Sequence, residues 1–274
     1  MATDLLEMYP RPGARVPLAG LYLAHDLRAR TPGPYVCSNF IVSLDGRIAL
    51  PDPHSGLQQV PPVIANPRDW RLYLEIATQA DVLLTTARHL RALAANRHTD
   101  LLAVAAEPEL RAWRLARGLP PGPAVAAVSE TLAIPQAALP NLPGPLLVLT
   151  GEAAPAAREH QLRAHGVTVR RLPGQVLDGA ALVAVLAEAG HRVIYSIAGP
   201  RVLHALCAAR VLQRLYLTHA LALLGGEPFV PLVHGPALEP PAHAQLAAGY
   251  LDIPAAGAAR PAQWFATYDL NHAA

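Results

Sequence analysis

The chain has 274 residues, 52% of them hydrophobic and 15% charged, with a net charge of +2, which suits one large domain with a buried core. No apolar run reaches the roughly 18–20 residues that cross a bilayer, and residues 1–7 lack the basic start and apolar stretch of a secretory leader, so a cytoplasmic protein is expected. All 22 basic residues are arginine, which excludes a Schiff-base lysine and a Walker A lysine; their scatter along the chain argues against a nucleic-acid surface.

Residues 1–33 are rich in Pro, Gly and Arg without sustained periodicity and read as a leading arm, with a short helix expected over 21–27. The first β-rich run, residues 35–42, ends at Ser43 and the Asp45-Gly46 turn; a proline-bearing loop follows. Asn66-Pro67-Arg68-Asp69 opens a helix: Asn caps, Pro suits the first position, and Asp69 complements the positive helix end. Trp70, Tyr73, Leu74 and Ala77 give that helix one apolar face. Asp81 precedes a short buried strand at 82–84, and Thr85-Thr86 begins a helix to about residue 93.

The alternation continues with helices near 107–117, 155–165, 178–190 and 200–209 and strands near 124–128, 145–149, 167–171, 192–197 and 213–220. Segments 245–253 and 263–270 read as antiparallel closing strands. Strands alternating with helices of about ten residues imply a three-layer α/β/α domain over residues 34–274, with a mostly parallel central sheet. Cys37 and Cys207 lie in apolar stretches and are expected to pack as small hydrophobes.

In such a sheet, ligands bind beyond the carboxyl ends of the strands, at helix N-termini with unpaired N–H groups. Two junctions fit: Leu83-Leu84-Thr85-Thr86-Ala87-Arg88 and Ile197-Ala198-Gly199-Pro200-Arg201. Together they suggest a dinucleotide, with Arg88 or Arg201 able to select a 2′-phosphate. On spacing alone ordinary helix caps are the better explanation of both, and no Gly-x-Gly-x-x-Gly accompanies them. His160 and His165, five residues apart, do not share a helix face, and His89 and His98 lack acidic partners, so no metal site is expected. Ser196 has no Gly-x-Ser-x-Gly elbow around it.

Ser43-Leu44-Asp45-Gly46-Arg47-Ile48-Ala49 is more specific, although Asp-Gly alone reads as a hairpin turn. The segment resembles the Ser-Leu-Asp-Gly-(Lys/Arg)-Ile-Ala signature of the riboflavin-biosynthesis pyrimidine reductases. These belong to the dihydrofolate-reductase-like superfamily and also form the C-terminal half of the bifunctional deaminase–reductase. Ala80-Asp81-Val82-Leu83-Leu84, Ile197-Ala198-Gly199-Pro200 and Leu223-Leu224-Gly225-Gly226 are similar to further family segments in the same order.

The resemblance implies a dihydrofolate-reductase-like fold and an NADPH-dependent reduction. Hydride would pass to C1′ of the opened ribosylamino group of a 5-amino-6-(5-phosphoribosylamino)uracil type of substrate. By that likeness Ser43 and Asp45 are the catalytic candidates, and Asn39, Arg47, Ser55 and Ile197 face substrate. Ile48 and Ala49 meet the nicotinamide, while Thr85, Thr86, Arg88, Thr150, Ala198, Gly199, Pro200 and Arg201 hold the rest of the cofactor. Two departures bear on the substrate: the family often has Lys where this chain has Asn39, and Glu where it has Ile197. A reductase of another pyrimidine or pterin-like metabolite, or a non-catalytic nucleotide binder, therefore stays open as an alternative. The expected partners are a small-molecule substrate and a second copy of the chain, with residues 263–270 as a contact, since a sheet edge left there needs cover.

Overall fold

The computed structural model describes residues 4–30, 32–54, 56–95, 104–174 and 177–271. In chain order the strands and helices begin with β1 (Asp4–Tyr9), β2 (Arg15–Pro17), β3 (Tyr35–Ser43), β4 (Arg47–Pro51) and β5 (Gln58–Gln59). There follow α1 (Pro67–Gln79), β6 (Val82–Thr86), α2 (Ala87–Ala94), α3 (Pro108–Leu115), β7 (Ala124–Val128), β8 (Leu146–Gly151), α4 (Ala156–Ala164) and β9 (Thr168–Leu172). The chain continues through α5 (Gly179–Glu188), β10 (Val193–Ser196), α6 (Pro200–Ala208), β11 (Arg214–Ala220), β12 (Val230–Pro231), β13 (His243–Asp252) and β14 (Gln263–Asn271).

An eleven-stranded sheet runs in the order β2-β1-β13-β14-β11-β3-β10-β6-β7-β8-β9. The strands from β11 to β9 are parallel, and β14, β13, β1 and β2 extend the sheet antiparallel. The central strands are apolar on both sides because helices cover both faces. Leu72, Leu90, Leu110 and Leu162 of α1 to α4 pack with Tyr195 on one face; Leu182 and Leu206 of α5 and α6 pack with Ile194 on the other. This is the expected three-layer α/β/α arrangement.

The capping signal at α1 is realised: the Asn66 side chain accepts hydrogen bonds from the Arg68 and Asp69 N–H groups, with Pro67 in the first turn. Its buried surface is wider than the expected stripe, because Glu75 and Gln79 are also fully buried. Glu75 accepts hydrogen bonds from the Gly20 N–H at 2.6 Å and the Tyr22 N–H at 2.9 Å, and Gln79 accepts from the Leu27 N–H at 3.0 Å.

The leading segment thus lies on α1, and its first strand pairs with β13. Leu5, Tyr22 and Leu27 are fully buried. The short helix expected over 21–27 is instead two 3-10 turns, Leu23–His25 and Leu27–Ala29.

The closing strands are antiparallel, as expected, but the expected edge is not one. β14 is hydrogen-bonded to β13 on one side and β11 on the other, so residues 263–270 offer no free backbone to a second copy. The outer strands of this sheet are β2 and β9. Residues after 49, expected as loop, include the end of β4 and all of β5, and β4 joins β12 and β5 in a separate three-stranded sheet. Among the described residues no helix is long and apolar enough to cross a membrane.

Candidate active site

β3 stops at Ser43, and Gly46 at φ +82° turns the chain into β4, a conformation that glycine adopts without strain. Ser43 Oγ donates to Asp45 Oδ1 and accepts from the Arg47 N–H at 3.0 Å. The second carboxylate oxygen, Oδ2, accepts from the Leu224 N–H at 3.0 Å and the Gly225 N–H at 2.7 Å. It also meets the Arg47 guanidinium at 3.0 Å. Arg47 donates onward to the Gly226 carbonyl at 3.3 Å and lies 4.3 Å over the Phe229 ring.

One carboxylate therefore joins two of the segments that resemblance had picked out in different parts of the chain. The Ser43 hydroxyl, then the Gly225 and Leu224 N–H groups and Arg47, pull the Asp45 carboxyl down to about 2. At neutral pH it is an ionised anchor for two loops and has no proton to give.

Next along β4, Ile48 packs its side chain against Val42 and Leu217, leaving half-buried Ala49 beside Val230 of β12. Of these two residues, only Ala49 keeps appreciable side-chain exposure.

β10 lies between β3 and β6, and their connections leave in opposite directions. From β6 the chain passes through α2 to β7 on one side; from β10 it passes through α6 to β11 on the other, across the opposite face. Such a reversal opens a crevice at the carboxyl ends of the strands. The Ile197 N–H donates to the Leu84 carbonyl at 2.9 Å, which ties these ends together.

Both expected junctions border this crevice. Thr85 is fully buried with its hydroxyl unpartnered among the described residues, and Thr86 caps α2 without a side-chain hydrogen bond. Gly199 caps α6 at φ −73° and ψ −176°, and a Cβ there would meet nothing within 4 Å. Ala198 is buried beside it, and Pro200 starts the helix. Arg88 and Arg201 are both exposed. A groove of about 840 Å³ follows α6 past Arg201, His204, Val233 and His234.

Other expected site residues stand differently. The Thr150 hydroxyl is fully buried and donates to the Ser129 carbonyl at 2.6 Å, so it links the ends of β7 and β8 and is not open to a ligand. Ile197 is half-buried and packs on the main core. Asn39 is half-buried in β3 opposite Tyr216, and its side chain makes no hydrogen bond to any described residue. Ser55 lies outside the described residues.

The sequence reading missed Asp69 as a site residue, having read it only as a helix-end complement. Its carboxylate accepts from the Thr218 hydroxyl at 2.5 Å. Thr218 pairs in register with Ile41, midway between Asn39 and Ser43 on the same face of β3. Burial raises the Asp69 pKa from 3.8 to about 6, against the lowering effect of the Thr218 hydrogen bond. The residue as a whole is half-buried. The only sequence signal was an acid in a helix first turn, which an ordinary dipole complement explains equally well.

Fold and site together define an α/β protein with a binding crevice at a strand-order reversal, flanked by two helix N-termini and a carboxylate-clamped loop pair. The description "RibD C-terminal domain" matches residues 34–248, and the chain belongs to that family, which makes it an oxidoreductase of the pyrimidine-reductase kind. None of the curated proteins matches it by sequence.

Among solved structures it is similar to a pyrimidine reductase-like protein from Corynebacterium diphtheriae, with a TM-score of 0.64 and 20% identity over 88% of this chain and 93% of that one. It is also similar to the riboflavin biosynthesis reductase Rib7 of Saccharomyces cerevisiae, with a TM-score of 0.55 and 14% identity over 92% and 99% of the two chains. RibD of Acinetobacter baumannii gives a TM-score of 0.61 and 14% identity; 88% of this chain covers 59% of that one.

Proposed function

We propose that the chain is an NADPH-dependent reductase of a phosphorylated ribosylaminopyrimidine in riboflavin biosynthesis, of which 5-amino-6-(5-phosphoribosylamino)uracil is one form. The observation that carries this reading is the Asp45 clamp, which sets the Ser43–Asp45–Arg47 turn and the Leu224–Gly226 loop against each other beside the crevice. Family membership supports the reduction, and three local features suit a dinucleotide: the Thr85 hydroxyl, unpartnered among the described residues, the open Cβ position at Gly199, and the exposed Arg88 and Arg201.

When bound, NADPH supplies the hydride for the opened ribosylamino carbon. The chain's own contribution is placement, since alignment of donor and acceptor provides much of the rate in such a reaction. The free N–H groups at the α2 and α6 starts and the two arginines hold phosphates. Ala49 and the β4 backbone border the nicotinamide, and Asp45 fixes the loop pair that shapes the substrate side. The homodimer stays part of this proposal, with its contact elsewhere than β14.

The test is NADPH oxidation at 340 nm by the purified chain with the phosphoribosylaminopyrimidine, together with rescue of a reductase-deficient riboflavin auxotroph. Turnover and rescue are expected. Failure of both, with folded protein, overturns the reading.

A further inference from the structure

We propose that the neutral His25 ring latches the leading segment 18–30 onto β11, and that protonating this ring releases the segment from beneath the candidate site. The segment lies ahead of the family match at residues 34–248, and the inference is independent of the reductase reading.

Two elements hold the segment in different ways. α1 takes it by the backbone: Glu75 accepts from the Gly20 and Tyr22 N–H groups, Gln79 accepts from the Leu27 N–H, and the Arg28–Asp81 ion pair lies beyond them. β11 takes it by aromatic rings. The Tyr22 and Tyr216 rings lie 4.7 Å apart between centroids, and the His25 ring stacks on both, at 5.0 and 5.6 Å. His25 Nδ1 meets the Tyr216 hydroxyl at 3.0 Å. That hydroxyl also faces the Arg214 guanidinium, which can only donate and which Asp269 fixes at 2.7 and 2.9 Å. The Tyr216 proton therefore goes to Nδ1, and His25 carries its own proton on Nε2.

A proton on Nδ1 turns this acceptor into a donor. It then opposes an oxygen that already faces one cation, and it adds a second charge to a half-buried place. Stacking on tyrosine faces favours a cation modestly. Against this, burial, then Arg214 and Arg30, hold the His25 pKa down from 6.5 to about 3. A base whose pKa is lower when docked binds its proton less tightly there, so docking weakens as pH falls below 6.5. Tyr35 and Cys37 of β3 complete the titratable groups around the cluster. Glu75 and Asp81, which hold the segment elsewhere, are titratable too, so the test must separate them from His25.

The latch reaches the site through Tyr216. Tyr216 pairs in register with Asn39, and Thr218 with Ile41, on the sheet face that leads to Ser43. Release withdraws His25 and the fully buried Tyr22 from beneath that face, which couples acid to the candidate site.

The experiment is amide hydrogen exchange of the full chain, followed by NMR at pH 7.5 and 5.0, in wild type and in His25→Asn. Asparagine keeps an acceptor for the Tyr216 hydroxyl and does not titrate. Protection of the Gly20, Tyr22 and Leu27 amides is compared with that of Ile194 in β10, which reports the core. In wild type the protection of the three, relative to Ile194, is expected to fall about tenfold or more at pH 5.0. In the variant it should change by less than about threefold. No protection at pH 7.5, no relative fall in wild type, or the same fall in the variant each overturn the proposal. The His25 ring resonances give a second reading that needs no variant: titration with a midpoint below 6.5 is expected, and a midpoint at or above 6.5 with the segment still protected overturns the latch. Neither measurement involves NADPH or turnover, so the outcome is separate from that of the reductase reading.

Discussion

Asp69→Asn tests whether the Asp69 charge is opposed by its surroundings. A carboxyl whose folded pKa exceeds its unfolded value binds its proton more tightly when folded, so stability falls as pH rises between the two values. Here that window runs from 3.8 to about 6. Below it the wild type bears no penalty; above it the cost is fully present. The rise corresponds to about 3 kcal/mol, and the partly exposed surface of Asp69 brings the expected figure to about 1–3 kcal/mol. Asparagine keeps an oxygen for the Thr218 hydroxyl and removes the charge, so the variant is expected to be more stable than wild type at pH 8 by about that amount. At pH 3.5 the difference should nearly vanish. Urea unfolding followed by far-UV circular dichroism at both pH values measures it. A variant no more stable at pH 8, or equally stabilised at both, would refute a charge-based penalty.

Three further outcomes are expected. Asp45→Asn loses the ion pair to Arg47 and should lower kcat/KM for NADPH oxidation about tenfold or more, read by steady-state kinetics; unchanged kinetics would remove the clamp from the mechanism. At Gly199 the backbone suits any residue and an added Cβ meets nothing within 4 Å, so in Gly199→Val the thermal midpoint should hold while the NADPH Kd, followed by nicotinamide fluorescence, rises about tenfold or more. Arg114 is fully buried and donates to the carbonyls of Thr78, Ala80 and Pro120 at 2.7–2.8 Å. Arg114→Met should therefore cost about 2–4 kcal/mol in urea unfolding, with NADPH affinity retained at 25 °C, and a loss below about 1 kcal/mol would count against that bonding.

The parallel core was legible because each strand is a short apolar run bounded by turn residues, and Asn66-Pro67 and Asp178 announce their helices with caps that the structure realises. The leading segment was not, because its hold on α1 runs through Glu75 and Gln79. Polar residues in a helix read as a solvated face, and only the backbone N–H groups arriving from residues 20, 22 and 27 reveal otherwise. β14 was recognised as a strand but misplaced as an edge, since pairing order is set by contacts far apart in sequence. In the site, Asp45 stood out through a local motif. The hydrogen bonds that lower its pKa come from Gly225 and Leu224 as well as Ser43, and no local window contains them. Asp69 has its partner 149 residues away.

The pairing of β1 with β13, Leu6 beside Leu251, also sets an order of events during synthesis. When β1 leaves the ribosome β2 follows directly to pair with it, but its other neighbour, β13, is made only after all the parallel strands. Until β13 arrives, Leu5 has not reached its buried place and an open strand edge remains exposed to other chains. Contacts of such long sequence separation form slowly. The parallel core can be assembled while this margin is still unclosed, and completing it is the step most exposed to misassociation.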